Sequence, residues 1–303
     1  MIRRLFTFFT ITLVLCACNS DEPDPDPEIK PDPVASLFSS VDYQPAPGQF
    51  VNEMPVYEKG DTPQSINRKA LEAINRGAII SLGALGGQIT LTLTNPIFHN
   101  PGAKYDFRIL GNCYLTGTDG DNILGSAEPG IVWVMKDSNS NGIPDDKWYL
   151  FVGQMGDQIK PVTITYTPAP DPDSSRWVDW STDHGASGAH TCNTAYHNHT
   201  YFPQWLFADT NKASMSIQTY MLPPNSFREA DTGLYRQICY PGFADSFPNN
   251  DDRSTFSLSD AVDLDGNPAN LDCIHFIRIT TAVIDSNGPL GETSTEFGGL
   301  QLP

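Results

Sequence analysis

Two apolar runs flank an acidic loop near the middle of the chain, and this segment constrains the fold most. Residues 131–135 are apolar throughout and residues 148–152 nearly so, while those between them are mostly Asp, Asn and Ser with a Gly and a Pro. Short apolar runs bounded by turn-forming residues are typical of β-strands. The sequence therefore predicts a β-hairpin that is closed by a loop rich in oxygen donors.

The loop over residues 137–146, called the Asp137 loop below, has the spacing of a calcium-binding loop. It begins D-x-N-x-N-G, which supplies side-chain oxygens at alternate positions and a glycine for the bend. Its twelfth position is Trp148 instead of a bidentate Glu, so a nearby Asp would have to complete the site, as in thrombospondin-type and dockerin loops. The alternative is a turn without an ion, because turns use the same residues. The candidate ligands of a structural calcium ion are Asp137, Asn139, Asn141, the carbonyl group of Ile143, Asp145 and Asp146.

The N-terminus has the features of a bacterial lipoprotein signal peptide. A basic start is followed by a largely apolar run over residues 5–15 and by small residues before Cys18. The run is shorter than the roughly 20 apolar residues that a membrane-spanning helix needs. We expect residues 1–17 to be removed and Cys18 to become the lipidated first residue, although an ordinary signal peptide cut elsewhere is the alternative.

Residues 18–40 are predicted to be a disordered tether. They are acidic and rich in proline, a composition that cannot bury enough apolar surface to fold. The acidic residues soon after Cys18 resemble the surface-export signal of Bacteroidetes lipoproteins. This resemblance implies a protein that is lipid-anchored in the outer membrane and faces outward.

The composition of the chain excludes nucleic acid as an expected partner. Lys and Arg number 18 against 36 Asp and Glu, a net charge of −18, whereas nucleic-acid binding needs basic residues to neutralise phosphates. Residues 41–303 show no linker-like shift in composition, so we expect a single domain. Its four cysteines are not spaced as zinc ligands, and the sequence leaves open whether they are buried thiols or disulfides. These are Cys113, Cys192, Cys239 and Cys273.

The secondary structure is predicted to be mostly β. Residues 88–94 alternate Ile89, Leu91 and Leu93 with polar residues, which predicts a strand with one buried face. One helix is expected over residues 63–76, capped by Thr62 and stopped by Gly77. Many short strands with long connections predict an all-β fold, a jelly-roll β-sandwich with this single N-terminal helix and long loops. Further strands are predicted at residues 105–110, 162–166, 214–222 and 273–281.

Four segments resemble one family of Bacteroidetes cell-surface lipoproteins. They are PAPGQFVNEMPVYEKGDT from Pro45, ISLGALGGQITLTLTNPI from Ile80, EPGIVWVMKDSNSNGIPDDKWYL from Glu128 and GETSTEFGG from Gly291. Some members of that family are encoded with cobalamin-uptake systems, and cobalamin-binding surface lipoproteins are known among them. The resemblance implies capture of a large nutrient, a corrinoid first of all, for an outer-membrane TonB-dependent transporter.

The candidate binding surface lies in residues 176–205, called the aromatic segment below. It combines aromatic side chains with four of the six histidines of the chain and many small polar residues. Aromatic faces with hydrogen-bonding tips suit a bulky, flat ligand such as a corrin or a sugar. The alternative is that Trp177 and Trp205 belong to the core and that the histidines are solvated. The candidate ligand contacts are Trp177, Trp180, His184, His190, His197, His199, Tyr201 and Trp205.

Catalysis is the less favoured interpretation of the same segment. His197 and His199 could share a transition metal with His184 or His190, and Asp179 and Asp183 could be argued as a glycosidase pair. The sequence contains no H-E-x-x-H, G-x-S-x-G, P-loop or Rossmann glycine pattern. We therefore expect a binding protein, with a glycan-binding or glycan-degrading accessory protein and a structural surface module as alternatives.

Overall fold

The chain folds mainly into β-strands, which make up 40% of the computed structural model against 10% helix. The structure describes residues 36–169, 176–191, 200–285 and 291–303. The signal peptide, Cys18 and most of the tether therefore lie outside the described residues. The strand content confirms the predicted all-β class.

The largest sheet has five antiparallel strands and contains the predicted hairpin. Residues opposite each other in the hairpin include Trp133 and Leu150, and Met135 and Trp148, so the two apolar runs pair as the sequence predicts. With the strands numbered in chain order, this sheet has the order β1 (Phe38–Gln44), β3 (Gln88–Phe98), β16 (Cys273–Thr281), β7 (Gly130–Met135) and β8 (Trp148–Leu150).

The remaining strands form four smaller sheets. One contains β11 (Ser187–Thr191), β10 (Arg176–Thr182), β9 (Lys160–Pro168) and β12 (Met215–Met221), and another β13 (Ser226–Arg228), β14 (Tyr235–Ile238), β6 (Asn122–Gly125) and β5 (Leu115–Asp119). The third contains β15 (Thr255–Phe256), β4 (Phe107–Leu110) and β18 (Gly299–Gln301). The fourth contains only β17 (Glu296–Phe297) and β2 (Ile80–Ser81). Short 3₁₀ helices lie at Gly156–Gln158, Thr210–Lys212, Asp252–Ser254 and Leu258–Asp260.

The jelly-roll expectation is wrong, because the small sheets form a propeller-like arrangement with four blades. In a jelly roll, the chain crosses repeatedly between two facing sheets. Here β9, β10 and β11 pair as consecutive neighbours within one sheet, and β5 pairs with β6. Strands that are close in the sequence therefore pair with each other within separate small sheets.

The first strand begins before the predicted domain boundary. One compact unit spans Ser36–Pro303, and Phe38 at the start of β1 is 3% exposed. A side chain this buried belongs to the core, so the folded unit begins a few residues before residue 41. The predicted tether is shorter by the same residues.

The predicted helix is confirmed as α1 (Pro63–Asn75). Thr62 and Ser65 form a reciprocal capping box at its N-terminus. Ile66, Ala70 and Ile74 are its buried residues, which fits an apolar stripe at helical spacing. Among the described residues, no helix is long and apolar enough to cross a membrane.

The two faces of the five-stranded sheet have different roles. Ile89 and Leu91 of β3 are fully buried in the main core, as are Val132 and Val134 of β7. This confirms the predicted strand with one buried face. Because side chains alternate across a strand, Trp133 lies on the opposite face, called the outer face below, where it is 8% exposed and packs in a second apolar cluster.

Three of the four cysteines lie among the described residues and are buried free thiols. They are Cys113, Cys239 and Cys273, and Cys113 and Cys239 pack in one small buried cluster. Cys192 lies outside the described residues. Of the two possibilities left open by the sequence, the structure shows buried thiols for these three.

Candidate ligand-binding site

The aromatic segment is in part a β-hairpin and not one long loop. Strands β10 and β11 pair, with Trp180 opposite Gly188. The indole ring of Trp180 lies across this glycine, since a Cβ atom at Gly188 would lie 2.5 Å from it. The hairpin directs half of its side chains toward the interior, which the composition of the segment alone does not reveal.

Three of the candidate contacts in the aromatic segment are buried. His190, Tyr201 and Trp205 are 1%, 2% and 8% exposed. The Trp205 ring stacks on Tyr43 with their centroids 5.9 Å apart, and the Tyr201 hydroxyl donates a hydrogen bond to the Thr191 carbonyl group at 2.9 Å. These side chains pack in the interior, which is the alternative stated above for Trp205, and none of them lines the cleft described below.

His190 has an unusual environment for a histidine. Its ring lies 6.2 Å from that of Tyr166 and 6.4 Å from that of Trp180, and neither ring nitrogen has a hydrogen-bond partner among the described residues. Burial lowers the pKa of His190 to about 4. The residue is therefore a neutral ring at physiological pH.

The other candidates of the segment are more accessible or lie outside the description. Trp177 is partly buried and stacks on Tyr201, with centroids 6.1 Å apart. His184 is exposed, with its ring nitrogen Nε2 3.6 Å from a carboxylate oxygen of Asp183. Trp180 is also only partly buried. The predicted contacts His197 and His199 lie outside the described residues.

The Asp137 loop joins β7 to β8, and its polar side chains face inward. The Asp137 carboxylate accepts hydrogen bonds from the backbone N–H groups of Asn141 and Gly142, at 3.1 and 2.9 Å. The amide groups of Asn139 and Asn141 donate to Asp145 at 3.1 and 3.0 Å, which lowers the pKa of that carboxyl group. The loop thus brings four of the six predicted ligands together.

The two remaining predicted ligands of the Asp137 loop are used differently. Asp146 accepts a hydrogen bond from the backbone N–H group of Ser138 at 2.9 Å. The carbonyl group of Ile143 accepts one from the N–H group of Asp145 at 2.8 Å. In the described conformation, therefore, these oxygens satisfy loop donors.

A cleft lined by aromatic side chains lies on the outer face of the five-stranded sheet. We call it the aromatic cleft, and its volume is about 230 Å³. Trp133 of β7 forms one wall together with Tyr220 of β12, with ring centroids 5.3 Å apart and planes inclined by 53°. The cleft is lined by Gln88, Ile131, Trp133, Trp148, Gln218, Thr219, Tyr220, Arg278 and Thr280.

Strand register assembles this cleft. Arg278 of β16 lies opposite Trp133 of β7 on one side and opposite Thr90 of β3 on the other. Directly opposed residues share one face of an antiparallel sheet, so all three lie on the outer face. Gln88 lies opposite Thr280 on the same face and carries an amide group to the rim.

Arg278 is the one basic residue among the residues that line the aromatic cleft. Its guanidinium group lies over the ring of Trp148, and its Nε donates to the Thr90 hydroxyl at 2.9 Å. Burial lowers the pKa of Arg278, although the side chain remains cationic because arginine titrates far above neutral pH. None of the ion pairs between described residues involves it.

The cleft combines the elements that recognise a ring-bearing polar molecule. Aromatic faces bind apolar ring surfaces, and amide and hydroxyl groups at the rim accept or donate hydrogen bonds. No family model matches the chain, and no curated protein matches it.

The sequence interpretation assigned the cleft residues to strands and missed the cleft itself. Trp133 and Trp148 were recognised only as members of the predicted hairpin. Residues 131–135 are apolar on both faces of the strand, so the sequence alone does not show that Trp133 faces the cleft. The contribution of Tyr220 depends on the approach of a different sheet, for which the sequence has no local signal.

Proposed function

We propose that the protein is an outer-membrane lipoprotein of the cell surface that captures a corrinoid or a similar bulky nutrient for a TonB-dependent transporter. The observation that supports this function best is the aromatic cleft, in which Trp133, Trp148 and Tyr220 converge beside amide groups. Such a surface can bind a ring-bearing ligand without catalysing a reaction on it. We therefore assign ligand contact to the aromatic cleft and not to the buried residues of the aromatic segment.

The size of the cleft limits how the ligand would bind. Sites that enclose a drug-sized molecule have volumes of about 300–1,000 Å³, whereas this cleft has about 230 Å³. A corrinoid is larger than a drug-sized molecule, so only one part of it, such as a ring edge with its amide side chains, would enter. The rest would lie across the protein surface.

The positive charge of Arg278 adds a second requirement. A guanidinium group forms its strongest hydrogen bonds with carboxylate or phosphate groups. Cobalamin carries a phosphodiester group beside its corrin ring and meets this requirement, whereas a neutral glycan does not. This is our reason for placing a corrinoid before a sugar.

A glycan-binding accessory protein remains the second candidate. Sugar rings also stack on aromatic faces, and the partly exposed Trp148 and Tyr220 present such faces beside Gln218. Because the cleft has room for about one ring, we expect at most a single sugar unit to be held firmly. A structural surface module would need no such cleft.

The test is calorimetric titration of the purified full chain with cyanocobalamin and, separately, with a panel of glycans. We expect a heat of binding with cyanocobalamin at micromolar concentrations. Trp148→Ala and Tyr220→Ala would each weaken binding by about 2 kcal/mol if they are central contacts. The proposal fails if the folded wild type binds no corrinoid, or if both variants bind as the wild type does.

The matched control is Tyr114→Ala. Tyr114 is 62% exposed and does not line the cleft, so its removal should leave affinity unchanged. A glycan that binds with the same dependence on Trp148 and Tyr220 would establish the second candidate instead.

We also propose that the Asp137 loop binds a structural calcium ion. Support comes from the convergence of Asp137, Asn139, Asn141 and Asp145, whose carboxylate and amide oxygens are the donors that calcium prefers. Binding would replace the hydrogen bonds that these side chains make within the loop. The ion would then hold the start of β8, where Trp148 lies.

A further inference from the structure

Acidic side chains from distant parts of the chain converge in a second place, away from the aromatic cleft. Glu128, Asp245 and Glu296 each place a carboxylate oxygen within 4.8 Å of the others. Glu128 and Glu296 line a cavity of about 300 Å³, and Glu292 lines the same cavity. We call it the acidic cavity.

The carboxylates that line the acidic cavity, and that of Asp245 beside them, have no cationic partner among the described residues. Asp245, Glu292 and Glu296 are 3%, 4% and 4% exposed. The lining residues include no Lys, Arg or His, and none of the ion pairs between described residues involves these acids. A buried carboxylate is strongly disfavoured unless a proton or a counter-ion neutralises it.

Glu292 supplies an independent observation. Its Oε1 atom accepts a hydrogen bond from the backbone N–H group of Gln49 at 2.7 Å, while its Oε2 atom is buried and has no partner by hydrogen-bond geometry among the described residues. The Tyr201 hydroxyl lies near this carboxyl group but directs its proton to the Thr191 carbonyl group. One buried oxygen of Glu292 is therefore left to a ligand in the cavity.

Backbone donors hold the carboxylates in place. Asp245 accepts hydrogen bonds from the N–H groups of Asn112, Cys113 and Glu296 at 2.9, 3.1 and 2.9 Å. Glu128 accepts one from the N–H group of Ser294 at 3.0 Å. These bonds orient the carboxylates without adding charge, as the outer-shell partners of metal ligands do.

Burial is also the main cause of raised pKa values in this cluster. The pKa of Asp245 and that of Glu292 are raised to about 8, and that of Glu296 well above its ordinary value.

We propose that the acidic cavity binds a hard divalent cation, with Ca²⁺ the preferred ion and Glu128, Asp245, Glu292 and Glu296 as the candidate ligands. The donors are oxygen atoms only, which favours Ca²⁺ or Mg²⁺ over Zn²⁺, since zinc sites use thiolate and imidazole groups. Ca²⁺ accepts more ligands and less regular geometry than Mg²⁺, which suits four carboxylates from three separate segments. This site is independent of the Asp137 loop and of the aromatic cleft.

The test uses the full chain, purified in detergent, with Asp137→Ala to remove the loop as a second calcium site. Equilibrium dialysis against Ca²⁺ followed by metal analysis should find one bound equivalent. Adding Glu296→Gln should weaken this binding by at least about tenfold. Glu72→Gln, which changes an exposed acid of α1, should leave it unchanged.

Thermal unfolding gives a second readout that a purely structural role would not reproduce. In a chelator, Glu296→Gln should melt at a higher temperature than its parent, because a neutral amide replaces a carboxyl group that is costly to bury. In excess Ca²⁺ the order should reverse, because only the parent gains the bound ion. Glu292→Gln should give the same reversal and serves if Glu296→Gln does not fold.

Two results would overturn the proposal. One is a parent chain that binds no equivalent of Ca²⁺ or Mg²⁺ at millimolar concentrations and melts identically with and without chelator. The other is unchanged Ca²⁺ stoichiometry and affinity in a folded Glu296→Gln or Glu292→Gln chain. In either case, a higher melting temperature of Glu296→Gln in a chelator would indicate only a cluster of protonated carboxyl groups and not a cation site.

Discussion

The guanidinium carbon of Arg278 lies 4.2 Å from the centre of the Trp148 ring, although strand β7 separates the strands that carry them. The long arginine side chain thus extends across one strand of the sheet. It covers part of the indole and brings a positive charge to the aromatic cleft. Arg278 therefore contributes to the stability of the sheet and to the character of the candidate site.

Replacing Arg278 by methionine should destabilise the protein by about 1–2 kcal/mol, because it removes a cation–π contact and the partner of the Thr90 hydroxyl. Urea unfolding measures the loss. Arg228→Met is the matched control, since Arg228 is exposed and lies 5.9 Å from the Tyr235 ring. An equal loss in both variants would contradict a special role for the Arg278 contact.

Trp205→Ala should lower the free energy of unfolding by about 3–5 kcal/mol, because it leaves a large cavity beside Tyr43. Ligand affinity of the folded fraction should not change, since Trp205 is in the core. Tyr114→Ala provides the exposed comparison and should be nearly neutral. A folded Trp205→Ala protein with intact stability but no ligand affinity would show instead that Trp205 contacts the ligand.

The contribution of His190 to the free energy of unfolding should fall as the pH is lowered from about 6.5 to about 4, because the unfolded chain then protonates His190 while the folded chain does not. The pKa is depressed in the folded state, so this contribution is complete above the unfolded pKa of 6.5 and is lost on acidification. By pH 4 the loss would reach about 3 kcal/mol. The buried acids Asp245, Glu292 and Glu296, whose pKa values are raised, act in the opposite direction, so the histidine is judged by comparison with a variant that lacks it.

Urea unfolding at several pH values tests this contribution. The difference in free energy of unfolding between the wild type and His190→Phe should shrink by about 3 kcal/mol from pH 6.5 to pH 4, because the variant has no imidazole at this position to titrate on unfolding. His184→Gln, at an exposed position, should keep the wild-type dependence. Identical slopes in the wild type and His190→Phe would show that other groups cause the acid sensitivity.

Calcium should stabilise the Asp137 loop independently of the acidic cavity. In a Glu296→Gln chain, which lacks the second site, a chelator should lower the melting temperature. At a free Ca²⁺ concentration a hundredfold above the dissociation constant, the bound ion should add about 2.7 kcal/mol to the free energy of unfolding. Adding Asp137→Ala should remove the effect, and no chelator effect in the Glu296→Gln chain would mean that the loop is only a turn.

Cys18→Ser should abolish membrane attachment, because a lipid on Cys18 is the attachment that the sequence predicts. Fractionation of cells should find the variant as an uncleaved precursor or as a soluble periplasmic protein. Recovery of a cleaved, acyl-free Cys18→Ser protein from the outer membrane would contradict lipid anchoring.

Local patterns in the sequence predicted helix α1 and some of the strands of this fold. Helix α1 was predictable because Thr62, Pro63 and Gly77 act on the backbone within one or two turns. The β7–β8 hairpin was predictable because a loop rich in turn residues separates two short apolar runs. Each signal is complete within about a dozen residues and needs no knowledge of distant partners.

The arrangement of the sheets was beyond these signals, because it depends on pairings between distant strands. Strand β16 lies between β3 and β7, and no local pattern specifies these neighbours. The same limit explains the incorrect jelly-roll expectation. Short strands with long connections are compatible with a sandwich and with a propeller-like set of small sheets alike.

Composition also misplaced individual side chains. The aromatic segment appeared to be a surface because histidines and small polar residues surround its aromatic rings, yet His190 and Tyr201 are almost fully buried. Glu292 and Glu296 would be assigned to the surface by polarity, yet they lie in the interior. A polar residue in a buried position can be identified as buried only when the residues that surround it are known.

The alternation along β7 has a consequence for the thermodynamics of capture. Val132 and Val134 are fixed in the main core, so Trp133 between them belongs to a backbone that cannot move without disturbing that core. A rigid wall loses little conformational entropy when a ligand binds. The aromatic cleft should therefore act as a preorganised receptor, in which affinity is tuned by the rate at which the ligand escapes and not by a slow closing step.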